Sequence, residues 1–318
     1  MLDSSKFRIF AFSMRKVYFV FVALWGISVC SSCQHRTGAD TGHATPYILA
    51  TTGMIADMLQ HIAGDSAVVE ALMHPGVDPH LYKASQGDLR KLLDADFIFY
   101  NGLHLEGKLA SILNKQKRVK PVVAVGEGLA DLIMINADTY DPHIWFDVSL
   151  WKAATAHAAK ELAQLDSSNA TYYHANALAY MAQLDTLDAW VHAQLNTIPP
   201  RQRVLITAHD AFSYFGRAYG VEVRGLQGIS TLSEFGLQDV SALVDYIVDR
   251  QIPAVFVESS VSDRSLKAVL AGVQQRGGAV HIGGSLFSDA MGTPGTPEGT
   301  YIGMVQYNVN TIVAALSK

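Results

Sequence analysis

The chain has 318 residues, 49 % of them hydrophobic and 17 % charged, with a formal charge of -5 and a pI near 6.2. That length and apolar content supply cores for two ordinary domains and exclude a disordered chain, and the acidic balance argues against nucleic acid or an anionic membrane surface as partner. Cys30 and Cys33 both lie near the N-terminus, so the remaining sequence holds neither a disulfide framework nor a thiolate metal site.

Arg15-Lys16 leads an apolar run to Val29 that is too short to span a bilayer comfortably, which is the layout of a secretory signal rather than of a transmembrane anchor. Cys30-Ser31-Ser32-Cys33 follows and resembles a bacterial lipobox, implying cleavage before Cys33 and lipid on its sulfur; Cys30 is an unusual residue for its position in such a motif. Met14 directly precedes the basic pair and offers an alternative start. Residues 34–46 are polar, Gly/Thr-rich and unpatterned, a flexible tether.

From Tyr47 short apolar runs alternate with helical stretches. Tyr47–Thr51, Ala67–Leu72, Phe97–Tyr100 and Pro121–Val125 are predicted strands, and Met54–Ala63, Ser85–Ala95, Glu106–Leu113 and Leu150–Leu165 predicted helices. Strands that are apolar almost throughout fit a parallel sheet covered on both faces, and the alternation predicts an α/β lobe over 47–166. Ser85 with Asp88 three residues on forms a capping-box start. Just before it, Asp78-Pro79-His80 puts a histidine on a proline-stiffened loop between strand and helix, where open α/β sheets bind ligands. Asp141-Pro142-His143 repeats the arrangement. One such tripeptide alone is an ordinary turn with a solvent-facing histidine; two in one chain point to a shared ligand. Asp78 and Asp141 are read first as turn formers.

Residues 167–198 contain no Pro or Gly and stop at Pro199-Pro200. Leu178, Met181, Leu184, Leu187, Val191 and Leu195 recur at helical steps, so one long amphipathic helix is expected, spanning about 45 Å at 1.5 Å per residue. His174 and His192 on it are read as solvated. A second lobe over 199–318 has predicted strands at Arg203–Ala208, Val221–Leu226, Ala254–Val257 and Ala279–Ile282. Its predicted helices are Asp239–Arg250, Asp263–Gln275 and Tyr301–Leu316. Gly277-Gly278 and Gly283-Gly284 are expected turns. His209 stands at a strand end before a helical stretch, and Asp289 lies in a loop between apolar neighbours, where an unpaired carboxylate would be costly.

The motifs Gly76-Val77-Asp78-Pro79-His80-Leu81-Tyr82, Asn101-Gly102-Leu103-His104-Leu105-Glu106, Asp141-Pro142-His143-Ile144-Trp145, Thr207-Ala208-His209-Asp210-Ala211-Phe212, Phe256-Val257-Glu258 and Phe287-Ser288-Asp289 occur in this order. As a set they resemble the TroA-like substrate-binding lipoproteins of bacterial ABC metal importers, over essentially all of the chain from Tyr47. The resemblance implies two α/β lobes joined by a long rigid helix, and four metal ligands at His80, His143, His209 and Asp289, two from each lobe. It also implies a lipid-anchored, exported monomer that captures metal without catalysis and serves a separate permease and ATPase. Three imidazoles and a carboxylate suit Zn²⁺, which such donors bind more tightly than Mn²⁺. Against this, residues 126–140 lack the histidine-rich loop frequent in zinc members. Zinc and manganese stay open, with zinc ahead on donor chemistry. The alternatives are a zinc hydrolase using Glu258 on an activated water, and a surface adhesin of the same fold. No His-Glu-x-x-His helix supports the former. His74, His104, Glu106 and His281 are read as rim or structural residues.

Overall fold

The computed structural model describes residues 45–233 and 235–317. The signal segment, Met14 and the lipidation site expected at Cys33 lie outside the described residues. No helix among the described residues is long and apolar enough to cross a membrane.

In the first lobe β1 (Tyr47–Ala50), β2 (Val68–Ala71), β3 (Phe97–Tyr100) and β4 (Val122–Ala124) form an all-parallel sheet in the order β2-β1-β3-β4. Side chains alternate across a strand. Ile48 and Ala50 therefore pack with Met54, Met58 and Ile62 of α1 (Gly53–Ala63). Leu49 and Ile98 meet Leu92 of α2 (Gln86–Asp94) and Leu113 of α3 (Ala110–Gln116) on the other face. Both faces are covered, which explains the nearly unbroken apolar strands. The expected capping box forms at Ser85 and Asp88.

The third helix begins at Ala110, not at Glu106 as predicted. Leu103 and His104 adopt left-handed backbone (φ 53° and 67°). The Glu106 carboxylate accepts from the Thr51 hydroxyl at 2.7 Å and from the amides of Asn101 and Gly102 at 2.7 and 3.2 Å, so it ties down the loop instead of opening a helix. A hairpin of β5 (Met134–Asn136) and β6 (Thr139–Tyr140), which the sequence reading did not anticipate, precedes α4 (Val148–Leu165).

The long segment forms a 3-10 turn at Ser167–Asn169 and then α5 (Ala170–Leu195), about 39 Å at 1.5 Å per residue. Leu184, Leu187, Val191 and Leu195 are buried as predicted, but Leu178 is 66 % exposed and Met181 only partly buried. The inward stripe of the first half is Tyr173, Ala177 and Tyr180. Both tyrosines can be buried because their hydroxyls find carboxylates, Asp166 at 2.6 Å and Asp57 at 3.4 Å.

The second lobe runs β7 (Val204–His209), α6 (Ser213–Tyr219), β8 (Glu222–Gln227), α7 (Leu237–Arg250), β9 (Ala254–Glu258), α8 (Arg264–Gln275), β10 (His281–Leu286) and α9 (Tyr301–Leu316). β7 pairs parallel with β8 and β9 with β10, and β7 lies beside β9, so the winding of the first lobe is repeated. Gly283 and Gly284 were expected in a turn but lie inside β10, across a register shift. A Cβ at Gly283 would stand 2.8 Å from both the Ala315 Cβ and the Phe256 ring, so glycine lets α9 close onto the strand. α9 also packs on α5 and α1. One apolar core runs from Ile48 through Trp151 and Leu184 to Leu205, Phe256 and Leu316, across both lobes.

Candidate metal centre

Each of the four expected residues is presented by a short, tied-down segment. After β2, Asp78 Oδ1 accepts from the His80 amide at 2.8 Å. Asp141 Oδ1 closes the same turn on the His143 amide at 2.9 Å, so the repeated tripeptide is a repeated structure. Asp141 does more, since the same oxygen lies 2.7 Å from His143 Nδ1. His209 ends β7, and Glu258 at the end of neighbouring β9 grips it twice: Oε1 accepts from the His209 amide at 2.9 Å and Oε2 stands 2.6 Å from Nδ1. Opposite, a Cβ on Gly225 would lie 2.7 Å from the His209 carbonyl carbon, so β8 needs glycine to approach this residue. Asp289 follows β10, where buried Asn308 accepts from the Phe287 amide at 2.9 Å and donates to its carbonyl at 2.7 Å. The Trp145 indole, from the first lobe, donates to the Ser288 carbonyl at 3.0 Å.

The structure brings the four together, with ligand atoms all within 4.8 Å of one another. His80 Nε2 is 3.3 Å from His143 Nε2 and 3.5 Å from Asp289 Oδ2. His209 Nε2 is 3.3 Å from Oδ2, and His143 Nε2 is 3.5 Å from Oδ1. Metal–nitrogen bonds of 2.0–2.1 Å in a tetrahedron set donor atoms about 3.3–3.4 Å apart, and these four separations match that spacing. All four residues are at most 2 % exposed, and neither Asp289 oxygen has a hydrogen-bond partner. A buried carboxylate in that state calls for a cation. Because Oδ1 and Oδ2 both face imidazoles, a fifth donor atom is at hand.

Burial pushes the His80 imidazole down to about 4, with Asp289 opposing. Burial would lower His209 too, but the carboxylates of Asp289 and Glu258 override it and hold that ring well above the usual histidine range. Burial would raise Asp289, yet His209, His143 and His80 together keep it below the ordinary carboxylate range. A cavity of about 80 Å³ reaches Asp289 between Met73, His74 and Pro75 on one side and Met291 and Pro294 on the other.

The residues set aside in the sequence stand apart from this cluster. His74, His104, His174, His192 and His281 are exposed, and Glu106 is spent on its loop. Glu258 does not face an open coordination position, since both its oxygens are engaged by His209. Three partners escaped the sequence reading. Thr231 donates across to Asp78 Oδ2 at 2.6 Å, Asn101 donates to the Pro142 carbonyl at 2.9 Å, and Tyr214 donates to the Asp141 carbonyl at 2.9 Å. Asn101 opens the Asn101–Glu106 motif, whereas Thr231 and Tyr214 carry no local signal.

Residues 48–315 match the family model described as ZnuA, zinc-uptake complex component A, periplasmic. The chain is 49 % identical over 272 residues to the manganese-binding lipoprotein MntA of Bacillus subtilis, covering 85 % of this chain and 89 % of that protein. It is 46 % identical over 275 residues to the zinc-binding protein TroA of Treponema pallidum, covering 86 % and 89 %. The solved structure of periplasmic TroA from the same organism superposes with a TM-score of 0.84, over 86 % of this chain and all of that one. The fold is TroA-like, and the chain belongs to the ZnuA family of periplasmic metal-uptake components.

Proposed function

We propose that this chain captures one zinc or manganese ion through His80, His143, His209 and Asp289 and delivers it to an ABC importer made of a permease and a separate ATPase. The supporting observation is the buried meeting of three imidazoles with a carboxylate whose two oxygens have no other partner. Four protein ligands leave no vacant position of the catalytic kind, and Glu258 is occupied in orienting His209, so the role is binding and not hydrolysis. Zinc suits the donor set, the second Asp289 oxygen suits manganese, and the relatives named above include one protein named for each metal. Export and anchoring through lipid on Cys33 complete the reading, and place capture outside the cytoplasm.

The test is metal content. The lipid-free chain, stripped with chelator and offered equimolar Zn²⁺ and Mn²⁺, should retain one equivalent of metal by elemental analysis, and His209→Ala should lose it. Absence of stoichiometric metal in the unaltered chain would overturn the reading; the ratio retained reports the preference.

A further inference from the structure

Tyr214 lies on α6, five residues beyond His209, and is fully buried. Its hydroxyl reaches into the first lobe, where it donates to the Asp141 carbonyl at 2.9 Å and accepts from the Ile133 amide at 3.1 Å. These two residues close the base of the β5–β6 hairpin, and the Asp141 amide donates directly to the Ile133 carbonyl at 2.9 Å. In an antiparallel ladder a hydrogen-bonded pair of this kind exchanges both bonds directly. Here one of the two passes through the inserted hydroxyl, which therefore fixes how far Asp141 stands from Ile133. Asp141 in turn holds His143 at its amide and at Nδ1. Pro142 is tied from within the first lobe by Asn101, so among the described residues the hydroxyl of Tyr214 supplies the hydrogen bond that residues 141–143 receive from the second. The Arg217 guanidinium lies 5.0 Å from the Tyr214 ring and is itself moored to the Asp131 carbonyl at 2.6 Å and to Asp147 at 3.5 Å, which keeps the ring in place.

We propose that Tyr214 is a positioning residue: its hydroxyl spaces Ile133 from Asp141 and so aligns His143 of one lobe with His209 of the other, through a single helix. Its effect on affinity rests on the metal-capture reading; its effect on His143 does not. Without the hydroxyl, the buried Asp141 carbonyl and the part-buried Ile133 amide lose their partner, a costly state for the carbonyl above all. They satisfy each other by closing directly, and that movement carries the Asp141 carboxylate off His143 Nδ1.

Tyr214→Phe tests this beside Tyr219→Phe. Tyr219 lies on the same helix, and its buried hydroxyl also joins two groups, accepting from the Val148 amide and donating to Asp188, but it touches no ligand-bearing loop. In metal-free protein with ¹⁵N-labelled histidine at fixed pH, the His143 Nδ1 resonance should move in Tyr214→Phe and stay in Tyr219→Phe. Zn²⁺ affinity, measured against a chromophoric chelator, should fall about ten- to a hundredfold in Tyr214→Phe alone, as for other groups that orient metal ligands. The visible spectrum of bound Co²⁺ should change with it. An unmoved His143 resonance, or an equal loss of affinity in Tyr219→Phe, would overturn the proposal. If the unaltered chain binds no metal, the capture reading falls while the His143 resonance still decides the role of Tyr214.

Discussion

Two of the three clustered imidazoles are pushed in opposite directions. Burial, joined by the charges of His143 and His209, pushes His80 down against the pull of Asp289, whereas Asp289 and Glu258 hold the His209 ring well above the usual histidine range. A metal needs the neutral ring, so loading must expel the His209 proton, and acid opposes loading through this one group first. Near neutral pH about one proton should leave per ion bound, and apparent affinity should rise with pH by up to about tenfold per unit while His209 remains protonated in the free protein. Titration calorimetry in two buffers of unlike ionisation enthalpy reads the proton directly; identical heats would contradict the assignment. At this scale the sequence was informative where chemistry was local. Prolines beside His80 and His143 and the strand end at His209 mark stiff presentation. The carboxylates behind the rings were harder to read. Asp141 looks like a turn former because it is one, with the same oxygen serving backbone and ring, and Glu258 is 49 residues from the histidine it holds.

Among the elements, α5 separates what periodicity reveals from what only packing decides. Its second half follows a leucine and valine stripe that any apolar count would find. In its first half the stripe is carried by Tyr173, Ala177 and Tyr180, and Leu178, one step round from Ala177, points outward. Leu184→Ala should therefore cost about 2–5 kcal/mol in denaturant unfolding, as a large-to-small change in a packed core. Leu178→Ala should stay within about 0.5 kcal/mol, as a surface change does. Equal losses would mean that the helix faces its neighbours differently. One other element was missed and another was cut short, for related reasons. β5 has all three residues exposed and so offers no buried face to leave a pattern. β10 carries paired glycines that normally signal a turn, but here they admit α9.

For the whole molecule, the four clustered residues sit on a seam, two on each lobe, beside the long helix that both lobes share. Binding should thus stabilise without much change of shape. At a thousandfold excess of free metal over Kd the gain is about 4 kcal/mol by mass action, visible as a higher Tm, while the radius of gyration from solution scattering stays nearly constant. A wide rotation between free and loaded forms would refute the stiff-helix account. The lobes resemble each other in winding, and that resemblance invites the idea of two bodies on a hinge. The apolar core that runs unbroken from Ile48 to Leu316 makes them something else. With α9 seated on α1 and α5 as well as on β10, neither half keeps a complete interior when the other melts. The molecule is two-lobed in outline and should unfold in one cooperative step, so that damage on the far side of either sheet also lowers the stability of the seam that holds the site.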